Sequence, residues 1–206
     1  GVENMTRGPW VISKASTPFG RDSEMHDTSF GWRFINPKLD EEFGTESMGE
    51  TAENLVEKYD ISREGQDGFA CKSQVKASNA QKNGRFNDEI ISVKIPKQKS
   101  DPIIFKKDEF IKPQSTVEGL AKLKPAFRKN GSVTAGNSSG INDGAAVMLL
   151  ASGLAVNQHG LKPLARIVSS SVIGVEPSLM GMGPVQASNK ALQKACLKMS
   201  DMDVIE

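Results

Sequence analysis

The sequence predicts an α/β fold that carries a mostly helical inserted module. One observation is the order of elements at the C-terminal end. There, a β-branched segment at 165–175 precedes a helix of strong helix formers at 184–199 and a second strand-like segment at 202–206. The other is helical periodicity in two consecutive stretches, 47–60 and 61–84. A chain of 206 residues is long enough to bury a substantial core.

The inserted module starts with these two helices. Ser47 or Thr51 can cap the first, whose apolar residues recur at helical spacing: Ala52, Leu55, Val56 and Tyr59. Ser62 caps the second and Gly84 ends it, and its apolar residues are Phe69, Ala70, Ala77 and Ala80. A β-branched strand follows at 89–96. The lysine-rich stretch at 97–125 is interpreted as a solvated face with one short helix.

Small and apolar residues dominate from Val133 onward. The segment 144–152 is either a strand or a buried helix, because periodicity does not separate the two. A short helix ends at Gly160, the strand at 165–175 follows, and the next helix begins near Pro184.

Composition and charge exclude several classes of partner. The 26 Lys and Arg residues balance 25 Asp and Glu residues to a formal charge of +1, which does not favour a nucleic acid or a membrane surface. The longest apolar run, 145–156, is shorter than the ~20 residues of a membrane helix. Cys71 and Cys196 lie far apart and form no disulfide framework, which favours a reducing compartment, the cytoplasm.

A glycine-rich stretch, GSVTAGNSSGINDGAA at 131–146, is the strongest candidate for a binding site. Its glycines permit positive φ and close backbone approach, and short polar side chains lie between them: Thr134, Asn137, Ser138 and Ser139. Such a loop can receive phosphate or amide groups of a ligand, or it can be an ordinary turn. It lacks both the phosphate-loop Gly-Lys-Ser/Thr and the G-x-G-x-x-G spacing, which disfavours a nucleotide binder.

The residues alone support no catalytic site. His26 and His159 have no partner at catalytic or metal-ligand spacing, and both cysteines fall inside predicted helices, where packing explains them. Met180, between glycines, suits either an adaptable apolar pocket or core filling. No Ser-His-Asp set, pair of carboxylates or metal cluster can be assembled.

Six segments resemble the thiolases, enzymes that form or cleave 3-oxoacyl-CoA thioesters, in the same order along the chain. They are GVENMTRGP at Gly1, ETAENL at Glu50, ISREGQDGFACKSQ at Ile61, LAKLKPAF at Leu120, NGSVTAGNSSGINDGAAVMLLAS at Asn130 and LMGMGPVQASNKAL at Leu179. Within the family, DTSFGWRFINP and FGTESMGETAEN resemble 3-oxoadipyl-CoA (β-ketoadipyl-CoA) thiolases of aromatic degradation. Ser47 stands where acetoacetyl-CoA thiolases usually carry a histidine.

The resemblance implies the layered α/β/α/β/α sandwich of the thiolases, incomplete in this chain, with a helical loop domain. Residues 1–11 would end the N-terminal half and 12–130 would form the loop domain. Residues 131–159 would return to the N-terminal core with the CoA-tunnel loop, and 160–206 would start the C-terminal half.

Site residues follow from the same resemblance. Ser139 matches the serine that contacts the pantetheine arm of CoA. The other matches are Ala135, Phe127 and Leu39 along the pantetheine tunnel, Gly119 and Leu120 near the adenine, Lys112 near the nucleotide, and Met48 and Met180 beside the acyl pocket. Lys112 keeps the charge of the arginine found in some relatives but loses its planar stacking surface.

No catalytic residue is expected in the chain, because the family's nucleophilic cysteine would precede Gly1 and its histidine and second cysteine would follow Glu206. The chain alone is therefore expected to be inactive. The complete enzyme would convert 3-oxoadipyl-CoA and CoA to succinyl-CoA and acetyl-CoA through a cysteine acyl-enzyme, as a homodimer or homotetramer without a permanently bound cofactor. The alternatives are an acetyl-CoA acetyltransferase, a medium-chain 3-ketoacyl-CoA thiolase and a non-catalytic CoA-binding remnant.

Overall fold

The computed structural model describes all 206 residues, which form two compact units. The first unit comprises 1–55 and 141–206, and the second comprises 56–140. Both α-helices and β-strands are present, as predicted. The predicted domain segments were defined by resemblance to the family, whereas these two units are defined by compactness. The segments therefore stay predictions.

The strands of the first unit form two small antiparallel pairs. They are β1 (Val2–Glu3) with β6 (Gly144–Ala145), and β2 (Trp10–Ile12) with β3 (Met25–Asp27). Beside the first pair, Asp143 accepts hydrogen bonds from the Thr6 amide at 2.9 Å and the Thr6 hydroxyl at 2.7 Å. These two hydrogen bonds lower the pKa of the Asp143 carboxyl from its ordinary value. Asp143 therefore ties the segment after β1 to the segment before β6.

Side chains cap three of the four helices of this unit at their N-termini, and Pro184 marks the start of the fourth. The four helices are α1 (Pro37–Phe43), the start of α2 (Met48–Tyr59), α5 (Gly153–Gln158) and α6 (Gly183–Ala195), with 3-10 turns at Met5–Arg7, Pro177–Met182 and Met199–Asp201. Ser152 caps α5 by accepting from the Ala155 amide at 3.2 Å, and Gly160 follows that helix with φ of +58°. The helical predictions for α2, α5 and α6 are confirmed.

Two predicted strands of this unit, 165–175 and 202–206, are absent, and of 144–152 only Gly144–Ala145 pairs. A strand requires hydrogen bonds to a neighbouring strand, and 165–175 instead lies along α6. Ser169 Oγ donates to the Ala191 carbonyl at 2.8 Å, and Lys194 Nζ donates to the Ser170 carbonyl at 2.9 Å. The β-branched segment therefore forms no strand ladder.

The second unit contains a long helix, a short helix and a hairpin. They are α3 (Arg63–Lys82), α4 (Val117–Ala121) and the antiparallel pair β4 (Val93–Ile95) and β5 (Ile103–Phe105). Ser62 accepts from the Gly65 amide at 3.1 Å and Thr116 accepts from the Gly119 amide at 3.0 Å, so both helices have side-chain caps. The predicted helices and the cap at Ser62 are confirmed, and the strand predicted at 89–96 is shorter.

The inward face of α3 is polar. Residues spaced by three or four positions share one helix face, and on this face lie Arg63, Asp67, Cys71, Gln74, Ser78 and Gln81. Asp67 and Ser78 are buried, whereas Phe69 is 79% exposed. Of the four apolar residues named from the sequence, Phe69 is exposed, whereas Ala70, Ala77 and Ala80 are partly buried.

Much apolar surface is exposed on both units. The accessible area is 17180 Å², against about 11,300 Å² for two separate compact domains each of half this mass. The buried apolar side chains are only Leu120, Val133 and Leu179. Such exposure is typical of surfaces that other protein covers. None of the helices combines the length and apolar character needed to cross a bilayer.

Candidate functional site

The glycine-rich loop at 131–140 is closed by hydrogen bonds of its own. The Thr134 amide donates to Asn137 Oδ1 at 2.8 Å, and Thr134 Oγ1 accepts from the amides of Gly136 and Asn137 at 3.2 and 3.3 Å. Thr134 is completely buried. Its hydroxyl and the Asn137 amide group therefore fix the turn from the inner side.

The inner side of this loop is attached to α3. Asn137 Nδ2 donates to Asp67 Oδ1 and to the Ser132 carbonyl, each at 3.1 Å. Gln66 Nε2 donates to Ser132 Oγ at 2.9 Å. Arg63 Nε donates to Asp67 Oδ2 at 2.7 Å, so both carboxylate oxygens of Asp67 have a partner.

Arg63 also connects α4 to the same helix. Its Nη2 donates to the carbonyls of Leu120 and Leu123 at 2.8 and 3.0 Å, at the end of α4. The planar guanidinium holds its N–H donors in fixed directions, so these bonds fix the end of α4 relative to α3. The predicted residues Gly119 and Leu120 are thereby held beside the loop.

Two glycines of the loop permit close approach. A Cβ at Gly136 would lie 2.5 Å from Leu123 Cδ1 and 2.6 Å from Leu120 Cδ2, and a Cβ at Gly140 would lie 2.2 Å from the Phe110 ring. Neither glycine has positive φ, so these positions use the close approach that glycine permits and not its left-handed conformation. The left-handed residue is Asn130, with φ of 61°, just before the loop.

The residues predicted to touch CoA lie on the outer side of the loop. Ala135 and Ser139 are exposed; Ala135 directly follows the inward-facing Thr134, and Ser139 lies two residues after the inward-facing Asn137. Phe127 is 43% exposed. The preceding residue, Ala126, donates its amide to the Val133 carbonyl at 2.9 Å. This hydrogen bond places the segment that contains Phe127 next to the loop.

Lys112 is held through its backbone and its side chain. The Lys112 amide donates to Gln74 Oε1 at 2.8 Å, and its ammonium donates to the Glu109 carbonyl at 3.1 Å. The side chain is exposed, so its positive charge is available to an anionic group. All six predicted CoA-contacting residues of the second unit, 112, 119, 120, 127, 135 and 139, thus belong to segments bonded to one another or to α3.

The other three predicted residues belong to the first unit. Leu39 lies in α1 and is 36% exposed, Met48 is the first residue of α2 and is 75% exposed, and Met180 lies in the turn Pro177–Met182 and is 46% exposed. That turn packs on α2, since the Asn54 amide group donates to the Ser178 carbonyl at 3.1 Å. The two methionines are therefore placed on adjoining elements.

The cysteines and histidines lie in packing or helix-end positions. Cys71 lies on α3 with Sγ 3.6 Å from the Ser115 carbonyl, whereas exposed Cys196 follows α6 with φ of 56° and is not inside the helix as expected. His26 stacks edge-on against Phe34, with ring centroids 5.3 Å apart, and His159 ends α5. No group of three or more His, Cys, Asp or Glu side chains in residues 1–206 is arranged to hold a metal ion.

Arg63 and Asp67 were not predicted to shape the site, and Asn137 was predicted only as one of the polar side chains of the loop. The only local signal was an arginine four residues before an aspartate, which predicts an ion pair on a helix. The partner of Asp67 in the loop lies 70 positions away, and no spacing rule reveals it.

Two family models match this chain. The family model for the thiolase N-terminal domain matches residues 1–153, and that for the thiolase C-terminal domain matches residues 161–206. The chain belongs to the thiolase family.

Several similar proteins are named as β-ketoadipyl-CoA (3-oxoadipyl-CoA) thiolases. The chain is 49% identical over 206 residues to the Escherichia coli K12 protein called 3-oxoadipyl-CoA/3-oxo-5,6-dehydrosuberyl-CoA thiolase. The match covers 100% of this chain and 51% of that protein. The chain thus spans about half the length of the curated relatives it matches.

Solved thiolases share the fold. The Bacillus anthracis acetyl-CoA acetyltransferase superposes with a TM-score of 0.84 at 43% identity, over 99% of this chain and 50% of that one. A human mitochondrial 3-ketoacyl-CoA thiolase in complex with CoA gives 0.83 at 41% identity, over 99% and 49%. The predicted thiolase fold is confirmed.

Proposed function

We propose that this chain is the CoA-recognition part of a thiolase that converts 3-oxoadipyl-CoA and CoA to succinyl-CoA and acetyl-CoA. The observation that carries the proposal is the two-sided loop at 131–140. Thr134 and Asn137 fix it from the inner side, and Ala135 and Ser139 are exposed on the outer side. A fixed loop with exposed small and hydroxyl side chains suits a slim ligand that carries amide groups.

The pantetheine arm of CoA has this shape and chemistry. Its two amides need hydrogen-bond partners, which the Ser139 hydroxyl and loop backbone groups can supply. Its methylene groups need small or apolar neighbours, which Ala135 and Phe127 supply. The Lys112 ammonium is available for the phosphate groups at the other end of the molecule.

The nucleophile of this reaction is proposed to lie outside residues 1–206. Cys71 contacts a backbone carbonyl within its unit, and Cys196 follows a helix C-terminus, unlike the helix N-termini where reactive thiolates are stabilised. In the reaction, a cysteine thiolate adds to the 3-oxo carbonyl and the C2–C3 bond breaks. Acetyl-CoA leaves after protonation of its enolate, and the thiolate of a second CoA displaces the enzyme cysteine.

The substrate assignment follows the E. coli relative's name, and thiolysis by a full-length enzyme that carries this segment tests it. The expected result is a kcat/KM for 3-oxoadipyl-CoA at least tenfold above those for acetoacetyl-CoA and a medium-chain 3-oxoacyl-CoA. A preference for acetoacetyl-CoA would favour an acetyl-CoA acetyltransferase, the name of the Bacillus anthracis neighbour. CoA binding without turnover of any substrate would favour the non-catalytic remnant.

The role of Ser139 has its own test. Ser139→Trp should raise the KM for CoA, because the indole would fill the space proposed for the pantetheine arm. Ser100→Trp is the matched control, since Ser100 is exposed in the β4–β5 connection. An unchanged KM for CoA in folded Ser139→Trp enzyme would remove Ser139 from the site.

The remaining properties belong to the same proposal. CoA is consumed and regenerated as a substrate, with no permanently bound cofactor. The exposed apolar surface supports an assembly of subunits, a homodimer or homotetramer, in the complete enzyme. The near-neutral charge favours neither a nucleic acid nor a membrane surface as partner, and the two distant cysteines support a cytoplasmic enzyme.

A further inference from the structure

We infer that Asp67 is a positioning residue for CoA, which acts through Asn137 to hold the 131–140 loop in its binding conformation. The inference rests on the proposed function, because the loop must receive the pantetheine arm. Neither residue is proposed to touch CoA.

Asp67 is a charged residue in a buried place. It is 1% exposed, yet its Oδ2 accepts from Arg63 Nε at 2.7 Å and its Oδ1 accepts from Asn137 Nδ2 at 3.1 Å. A buried carboxylate without partners is strongly disfavoured, so these two donors are required. Because a carboxylate can only accept, Asp67 dictates that a donor of Asn137 faces it.

This requirement selects one orientation of the Asn137 side chain. With Nδ2 toward Asp67, Oδ1 faces the Thr134 amide at 2.8 Å, and Nδ2 also reaches the Ser132 carbonyl at 3.1 Å. The reversed amide would set Nδ2 against the Thr134 N–H and Oδ1 against three acceptors, Asp67 Oδ1, the Ser132 carbonyl and Gln66 Oε1. The charge on α3 thus determines which backbone groups of the loop Asn137 can bind.

The consequence for a ligand is pre-organisation. Ser139 lies two residues after Asn137, and Ala135 lies next to the buried Thr134, so the fixed inner residues set the positions of the exposed ones. If the loop populates its binding conformation for only a tenth of the time, the apparent Kd for CoA rises tenfold. The chemical step is unaffected once CoA is bound.

Asn137→Asp in a full-length enzyme is the direct test. The substitution preserves size and the acceptor for the Thr134 amide, but it replaces the donor that faces Asp67 and the Ser132 carbonyl. The expected result is a Kd for CoA, measured by titration calorimetry, at least tenfold higher than wild type, with kcat at saturation changed less than threefold. A general loss of folded protein would lower the active fraction without this split between Kd and kcat.

Exchange of the two side chains supplies the rescue. In the double variant Asp67→Asn, Asn137→Asp, the new amide at 67 can donate to the new carboxylate at 137. It should recover at least half of the lost affinity on a logarithmic scale. Glu89→Gln is the control, because it removes an exposed ion pair with Arg85 in the same unit and should leave the Kd unchanged.

Two outcomes overturn the inference: a wild-type Kd in folded Asn137→Asp enzyme, or the same rise in Glu89→Gln. If Asn137→Asp gives no folded protein, Asp67→Asn replaces it. That variant keeps the size of the side chain but removes the charge that selects the Asn137 orientation, and an unchanged Kd, instead of a two- to threefold rise, overturns the inference. Wild-type enzyme that binds no CoA would refute the proposed function itself. Binding by wild type and variants alike would refute only the positioning role.

Discussion

Substitution of Gly136 by alanine tests whether close packing behind the loop sets its conformation. The new Cβ would lie 2.5 Å from Leu123 Cδ1 and 2.6 Å from Leu120 Cδ2, whereas carbon atoms rest at about 3.5–4.0 Å. Each methyl group must therefore move by about 1 Å or more. Leu123 is 40% exposed and can rotate, but Leu120 is buried and must displace its neighbours.

Such overpacking costs about 1–3 kcal/mol, and the entropy advantage of alanine over glycine returns about 0.4–1 kcal/mol. A net local loss of about 1–2 kcal/mol corresponds to roughly five- to thirtyfold faster hydrogen exchange of protected amides near the loop, provided that they exchange by local opening. The Ala126 amide, which donates to the Val133 carbonyl, is the reporter in the full-length enzyme.

Gly144→Ala is the matched control, because a Cβ there meets nothing within 4 Å. It should leave the exchange rate of the Ala126 amide unchanged. If Gly136→Ala also leaves that rate unchanged, the packing of Leu120 and Leu123 against the loop does not constrain it, and the reasoning is wrong.

Three further predictions concern charge and exposed surface. Lys112→Ala should raise the KM for CoA about two- to fivefold at low salt. The rise should be smaller at high salt, because an exposed charge is screened, and smaller in Lys112→Arg, which keeps the charge. A salt-independent rise would contradict this prediction. Asp143 has a lowered pKa in the folded protein, so its contribution to stability is present above its unfolded value of about 4 and is lost as pH falls through the folded pKa. The difference in unfolding free energy between wild type and Asp143→Asn should therefore shrink below about pH 4 in acid titrations, and a constant difference would refute the Thr6 contacts as its cause. Residues 1–206 expressed alone should associate in sedimentation experiments, because large apolar surfaces are exposed, whereas a stable monomer would contradict the burial argument.

The helices of this chain could be predicted because their signals are local. Ser62 accepts from the amide of Gly65, as its predicted role as a helix cap requires. The segment at 165–175 has the composition of a strand, but a ladder depends on a partner that local composition does not specify. Prediction therefore succeeded for caps and periodic helices and failed for that strand.

The site divides in the same way. The glycine-rich composition of 131–146 indicated a binding loop, but the reason for two of its glycines is the approach of Leu120, Leu123 and Phe110 from distant positions. The buried residues of α3, Asp67 and Ser78, were not predicted, because periodicity searches look for apolar residues. Long-range polar contacts leave no periodic trace in a single sequence.

The most direct test of the CoA-binding proposal is a crystal structure of a full-length enzyme carrying this segment, determined with CoA bound. The account predicts that the Ser139 hydroxyl lies within hydrogen-bond distance, about 3 Å, of a pantetheine amide, with Asn137 still bonded to Asp67. A pantetheine arm that binds elsewhere while Ser139 faces solvent would contradict it.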